Sequence, residues 1–417
     1  MISEIAELVR LLRRKHWTRE QIDELRRAKL RRLIHHAYAN VPYYTRLMDG
    51  AGVKPEDIRE PSDLRRIPTT TKTALRRAGN ASIAAGARPT ASLHTSGHSG
   101  IPFEVRMTPA EYRTRRLREF RMLIGIGVHP RDRLTLLGPV RTRSARLHRM
   151  LGLYRMDVIP LTLAPDEILR RFRASNPDVL WAYPNTFESL LQLAGCPLGE
   201  LARPRFMINS SNVLPPPLQA RLRADLPEME IAHIYGSAEA GRIAAECRAR
   251  RGLHLEDDAL IVELLNDGEP VAPGEEGGVV LTCLDQLTAP LIRYEQGDIC
   301  RLKPEPCTCG WQTPLMDLPL GRDTDMMTLP SGLRVPGTRL DIALRGELDL
   351  LQYRFVQEQR DRIRAELCFD RLPSPAELTA LQGRMEDALG EPMSVDIELI
   401  PEAKFEATKF RTFVSRL

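Results

Sequence analysis

The chain has 417 residues, a formal net charge of +5 and a charged fraction of 28%. That length accommodates one large domain and a smaller one, and the composition excludes bulk disorder. The positive charge is almost wholly arginine, with lysine only at positions 15, 29, 54, 72, 303, 404 and 409; RRK, RRLRE and RARR are interleaved with acidic or apolar residues, which ranks a zinc-bearing nucleic-acid-binding protein low.

The opening MISEIAELVRLLRRKHW lacks the apolar core and cleavage site of a signal peptide, and no run approaches the ~18 apolar residues of a membrane span. A cytoplasmic enzyme without a membrane partner is expected. Seven cysteines in a chain this long do not suggest a disulfide framework, so a cysteine cluster is better read as metal binding.

In chain order, residues 1–40 read as helical, with Thr18 and Gln21 as a capping box ahead of Ile22, Leu25, Leu33 and Ala37. From about residue 90 to 240, strands alternate with amphipathic helices. RLTLLG (133–138), DVIPL (157–161), DVLWAY (178–183), RFMIN (205–209) and EIAHIY (230–235) read as strands, and EYRTRRLREFRMLI, TFESLLQLA and LQARLRADL as helices. This alternation predicts an α/β fold on a mostly parallel sheet. ALIVELL (259–265), GVVLTCL (278–284) and PLIRY (290–294) predict a smaller antiparallel sheet. After GRDTD (321–325) come a strand (RIRAELCF), a helix (PAELTALQGRMEDAL), a strand (MSVDIELI) and a basic tail, the pattern of a small α+β domain.

Three segments carry chemistry. HTSGHSGIPF (94–103) is a Ser/Gly-rich loop whose backbone N–H groups and hydroxyls suit phosphate oxygens, although such loops are more often plain turns. IYGSAEAG (234–241) ends an apolar strand; a tight Gly-Ser turn there would project Glu239 into a crevice, where a carboxylate suits Mg²⁺ on a triphosphate. A solvated Glu at a strand exit is the bland alternative. In IRYEQGDIC (292–300), Asp298 follows a glycine and could accept two ribose hydroxyls, or simply sit in a hairpin turn.

In this order and spacing the chain resembles the adenylate-forming superfamily, in its phenylacetate–CoA ligase-like and capsular-polysaccharide-type branch. TSGHSGIP is similar to the phosphate loop, YGSAEAG to the aromatic-Gly-Ser-x-Glu motif and RYEQGD to the ribose motif. LGRDTDMM with SGLRVPGTRLD is similar to the hinge, and ATKFRTFVSRL to the segment with the catalytic lysine. The N-terminal HHAYANVPYYTRLMDGAGVKPEDI and DLRRIPTTTKTALR resemble the branch's opening, so the resemblance spans essentially the whole chain.

The resemblance implies an acid–thiol ligase using ATP, Mg²⁺ and coenzyme A. Its domains would be 1–321 and a mobile lid, 322–417. Thr95, Ser96, Gly97, Ser99 and Gly100 would cradle the phosphates. Tyr235, with Gly236 and Ser237, would lie at the adenine, and Asp298 at the ribose. Arg322 would fix the nucleotide at the hinge, Glu239 would bind Mg²⁺, and Lys409 would bridge substrate carboxylate and phosphate. Trp181, Tyr183, Ser210, Asn212 and Ile234 would line the pocket of a small carboxylic acid, first of all an aryl acid. An acyltransferase moving acyl groups between CoA and an acyl carrier protein is the alternative, and assembly as a homodimer stays open. His98 in the phosphate loop, Ile101, Asn212, Thr324 and Thr408 depart from the family pattern.

Cys247, His254, Cys307 and Cys309 form a C-x₆-H and a C-x-C, the donor types of a closed structural Zn²⁺ shell, and the branch carries a similar set. Four unrelated residues are the alternative. Cys300 competes as a ligand, though burial suits it better, and Cys196, Cys283 and Cys368 read as buried small apolar residues.

Overall fold

The computed structural model describes residues 2–94, 103–138, 152–160, 163–210, 214–322, 326–344, 347, 349–401 and 412–417. The chain divides into two compact units: Met1–Gly127 with Ile234–Pro319, and Val128–His233 with Leu320–Leu417.

In the first unit the N-terminal stretch forms helices Ile2–Arg13 and Arg19–Asn40, parted by a short 3₁₀ turn. The second helix starts at Thr18, whose capping box with Gln21 is complete. Ile22, Leu30, Leu33, Ile34 and Ala37 form its buried face, and most of them join a core with Tyr44, Met48, Ile261 and Ile292. Many arginines turn inward. Arg121, on the helix Pro109–Ile126, is buried against Glu256 and Asp258. Arg14 reaches Asp258 at 2.6 Å, while Arg19 and Arg26 meet Asp257. Lys29 meets Asp285 at 2.7 Å. Cations withdrawn from water in this way need paired anions, which the run Glu256-Asp257-Asp258 and Asp285 supply.

The antiparallel sheet of this unit runs Glu269–Pro270, Leu260–Asn266, Glu276–Cys283, Tyr294–Arg301. PLIRY is not a strand. Arg293 adopts a positive φ of 46°, which breaks the extended run, and the strand begins only at Tyr294. A second antiparallel ladder pairs Ile234–Ser237 with Gly241–Glu246, then Leu253–Leu255, then Leu315–Met316. Here too the structure corrects the sequence reading. Gly236 and Ser237 continue the strand Glu230–Ser237, and the turn follows at 238–240. Gly236 serves close approach, since a Cβ there would stand 2.5 Å from the Gly241 carbonyl oxygen.

The second unit holds parallel strands in the order Arg155–Ile159, Arg133–Leu137, Val179–Ala182, Phe206–Ser210. Helices Pro165–Ser175, Pro184–Ala194 and Pro216–Asp225 follow three of them, and Phe172, Phe187, Leu190, Met207 and Leu222 fill one core. Its C-terminal part has its own core around Phe355, Ile363, Leu381, Met385 and Val395. The sheet order there is Ser394–Leu399, Arg362–Phe369, Leu350–Gln359, Phe413–Ser415, beside the helix Pro375–Leu389. The strand Leu350–Gln359 was not expected, and the end of the basic tail is a strand parallel to it. Cys196 is half-buried rather than buried, unlike Cys283 and Cys368. The architecture is the expected α/β fold with a mostly parallel sheet, smaller antiparallel sheets and an α+β C-terminal region. Among the described residues, no helix is long and apolar enough to cross a membrane.

Candidate functional site

Two antiparallel segments of the first unit bring the motif side chains together. Tyr235 lies on the strand entering the 238–240 turn, and its hydroxyl donates to Asp298 Oδ2 at 2.6 Å. Asp298 lies within the strand Tyr294–Arg301, not in a hairpin turn, and Gly297 before it takes a positive φ of 78°. The Ser237 hydroxyl donates to Gln296 Oε1 at 3.2 Å and accepts from Ala240 N at 3.1 Å, closing the turn.

Glu239 sits at the tip of that turn and is only 6% exposed. Its Oε1 accepts from Lys72 Nζ at 3.1 Å and from the Tyr294 hydroxyl at 3.3 Å. A buried carboxylate needs such donors or a cation. Lys72 is delivered by a parallel bridge in which Thr70 N donates to Arg293 O at 2.8 Å and Glu295 N to Thr70 O at 2.9 Å. Lys72, Tyr294 and Arg115 were not among the residues expected from the sequence to form the site. Arg115 donates to the carbonyl oxygens of Ser237 and Ala238 at 3.0 Å each and of Glu239 at 3.4 Å. The scarcity of lysine in an arginine-rich chain was the one signal for Lys72.

Thr95, Ser96, Gly97, Ser99, Gly100, Asn212 and Lys409 lie outside the described residues, as do His98, Ile101, Thr324 and Thr408. Arg322 ends a two-residue strand, Gly321–Arg322, with its side chain outside the description. In the second unit, Trp181 and Ser210 meet on adjacent parallel strands, where the indole N–H donates to Ser210 Oγ at 2.8 Å. Both are 4% exposed. Tyr183 is half-buried over Gly138, where a Cβ would stand 3.5 Å from the ring. Ile234, in the first unit, is buried opposite Ala245.

The cysteine and histidine set also converges. The ligand atoms of Cys247, His254, Cys307 and Cys309 all lie within 4.8 Å of one another. Cys247 Sγ is 3.7 Å from Cys307 Sγ, and Cys309 Sγ is 3.4 Å from His254 Nε2. A tetrahedral Zn²⁺ with Zn–S of about 2.3 Å sets S···S near ~3.8 Å, so donor types and spacing fit that ion. His254 Nδ1 faces Thr313 Oγ1 at 2.9 Å, and its ring stacks on Trp311 with centroids 4.8 Å apart. These contacts aim Nε2 at the cysteines. Burial, then nearby Lys15, holds the imidazole at about 4, so it is neutral and able to ligate at pH 7. Burial also pushes the Cys247 thiol up to about 11. Cys300 is buried in a separate apolar cluster.

No family profile matches the chain. It is 30% identical over 342 residues to the phenylacetate–coenzyme A ligase of Thermus thermophilus, covering 78% of this chain and 76% of that protein. The chain belongs to the phenylacetate–coenzyme A ligase family. The Escherichia coli K12 member is 30% identical over 365 residues, covering 79% and 82%. In fold the ligase resembles 2-hydroxyisobutyryl-CoA ligase in its postadenylation state with 2-HIB-AMP, at a TM-score of 0.83 and 18% identity over 97% and 91% of the two chains. The protein is thus an AMP-forming acid–thiol ligase. Its family activates acids through acyl-adenylates and joins them to coenzyme A.

Proposed function

We propose that this ligase activates an aryl acid with ATP and Mg²⁺ and transfers the acyl group to coenzyme A. The observation that carries the reading is that two distant segments of the first unit meet, Tyr235 on Asp298 and Glu239 on Tyr294. The aryl class is supported by the named relatives and by the apolar character of Trp181 and Tyr183.

In adenylation a carboxylate oxygen bonds to the α-phosphorus of ATP while the bond from that phosphorus to the bridging oxygen breaks and pyrophosphate leaves. Both reactants are anions, so the barrier is one of charge and position. Thr95, Ser96, Gly97, Ser99 and Gly100 cradle the phosphates. Tyr235 faces the adenine, with Gly236 and Ser237 holding the backbone close, and Asp298 accepts from the ribose hydroxyls. Arg322 fixes the nucleotide where the chain enters the C-terminal region, and Lys409 neutralises the approaching carboxylate. Glu239 would hold Mg²⁺, a fit supported by a buried hard oxygen donor already facing an ammonium. The ion supplies charge neutralisation to the triphosphate when bound. In the second step the CoA thiolate attacks the acyl carbon, and AMP departs.

The segment 322–417 acts as the lid. This is supported by its separate core. Trp181, Tyr183, Ser210 and Asn212 of the second unit would line the acid pocket. Cys247, His254, Cys307 and Cys309 hold a structural Zn²⁺ that ties the segment after the turn to the 307–309 loop.

Acid-dependent ATP–pyrophosphate exchange across a panel of aryl and aliphatic acids tests the reading. Exchange with aryl acids, followed by CoA thioester formation, is expected. No exchange with any acid, alongside acyl transfer from a thioester to a carrier protein, replaces it with the acyltransferase.

A further inference from the structure

We infer that Arg115 is a positioning residue for the metal-binding carboxylate, a clamp that sets the 237–239 backbone so that Glu239 faces the nucleotide's cation. The inference rests on the reading that Glu239 holds Mg²⁺.

Three successive carbonyl oxygens, those of Ser237, Ala238 and Glu239, turn toward the same guanidinium. Carbonyl dipoles aligned side by side repel one another, and a cation placed among them removes that repulsion. The guanidinium suits this better than an ammonium, because its planar fork presents several N–H groups in fixed directions. The far side of the turn is shaped around it. Gly241 has a φ of 81°, and a Cβ there would stand 2.9 Å from Arg115 Nε. A second donor, Gln286 Nε2, reaches the Glu239 carbonyl at 3.0 Å.

Among the described residues, Arg115 binds only the backbone of this turn, so the Glu239 carboxylate is left to Lys72 and Tyr294. An arginine that took the carboxylate itself would compete with a metal ion; one that takes the carbonyls fixes the side chain's base and adds no further cation to its oxygens. Burial, then repulsion from Arg242 and Arg118, lowers Arg115 to about 10, so it stays charged at neutral pH. The helix Pro109–Ile126 that carries it is a rigid support. The helix is capped by a Thr108–Glu111 box and anchored by the buried ion pairs of Arg121.

The test compares the wild type with Arg115→Met and Arg115→Lys by measuring acid-dependent ATP–pyrophosphate exchange as Mg²⁺ is varied at saturating ATP and acid. Removing a side chain that orients a metal ligand typically costs ~10–100-fold in metal affinity. Arg115→Met is expected to raise the Mg²⁺ half-saturation about tenfold, with Arg115→Lys restoring part of it. Amide hydrogen exchange at 237–241 should quicken in Arg115→Met while the rest of the unit keeps its protection. An unchanged half-saturation in Arg115→Met with a lowered Tm would make Arg115 a structural staple and overturn the inference. If Arg115→Met does not fold, a wild-type half-saturation in Arg115→Lys overturns it equally. Wild-type enzyme without exchange for any acid refutes the ligase reading instead. The amide exchange then decides on Arg115 alone: faster exchange at 237–241 supports the clamp, and unaltered exchange rejects it.

Discussion

The Tyr235 hydroxyl donates to the Asp298 carboxylate across 2.6 Å, although the two residues are 63 positions apart. That bond locks the strand before the 238–240 turn to the ribose-motif strand, and it satisfies one oxygen of a carboxylate that is only 8% exposed. We predict that Tyr235→Phe lowers stability by about 1–3 kcal/mol, because the carboxylate loses a buried donor. The KM for ATP should rise several-fold with a smaller change in kcat. Thermal unfolding and initial rates against ATP check both, and an unchanged KM would remove Tyr235 from the nucleotide site.

Lys409 is expected to act in only one half-reaction. Lys409→Ala should reduce ATP–pyrophosphate exchange by about two to three orders of magnitude, the scale of losing one charge that stabilises a transition state. Thioester formation from a preformed acyl-adenylate should fall far less. Equal losses in the two assays would contradict the assigned role.

The metal centre makes a compositional prediction. Wild-type protein should carry one Zn²⁺ per chain, and Cys307→Ser should lose it together with several degrees of Tm, because metal affinity is folding free energy. Metal analysis by mass spectrometry reads this directly. Equal zinc in both proteins would rule the site out. Thr313→Val, which removes the partner of His254 Nδ1, should weaken zinc retention against a chelator without abolishing it.

Asp341 supplies a pH dependence. Burial pushes its carboxyl up to about 7, against a smaller downward pull from the nearby Tyr353 hydroxyl. Its Oδ1 finds no hydrogen-bond partner among the described residues. Because the folded value exceeds the unfolded one, the native state holds the extra proton between about pH 4 and 7. Stability should therefore fall as pH rises through that window and level off above it. The full loss is on the order of 4 kcal/mol, from about three units at 1.36 kcal/mol each. Asp341→Asn should flatten the slope, measured as Tm from pH 4 to 8. An unaltered slope would assign the effect to other groups.

Part of the site was legible because its residues announce themselves locally. Tyr235, Glu239 and Asp298 stand in short motifs beside apolar runs, and the cysteines and histidine stand out by donor chemistry. The structure brought both sets together. Lys72 and Arg115 were not legible, because their partners lie 167 and 122–124 positions away and nothing near either residue marks the pairing. Gly236 was misread for a related reason. A glycine in sequence signals a turn, but here it admits the Gly241 carbonyl from across the ladder. PLIRY reads as a strand because it is apolar, yet Arg293 turns to positive φ, its N–H bonding to Thr282 Oγ1 and its carbonyl to Thr70. The strand Leu350–Gln359 was not legible because register shifts at Leu350/Gln352 and Gln357/Gln359 break the in–out alternation by which a strand is read.

Sequence by itself determined the helix start at the Thr18–Gln21 box, the helix Pro375–Leu389, and the order in which the chemical motifs follow one another. These depend on torsions and contacts within a few residues. Tertiary structure alone decided which charges face Glu239, which thiols close on His254, and where the arginines of the N-terminal helices find their anions. Those outcomes depend on distance through space and on the exclusion of water, and neither is encoded by neighbours along the chain.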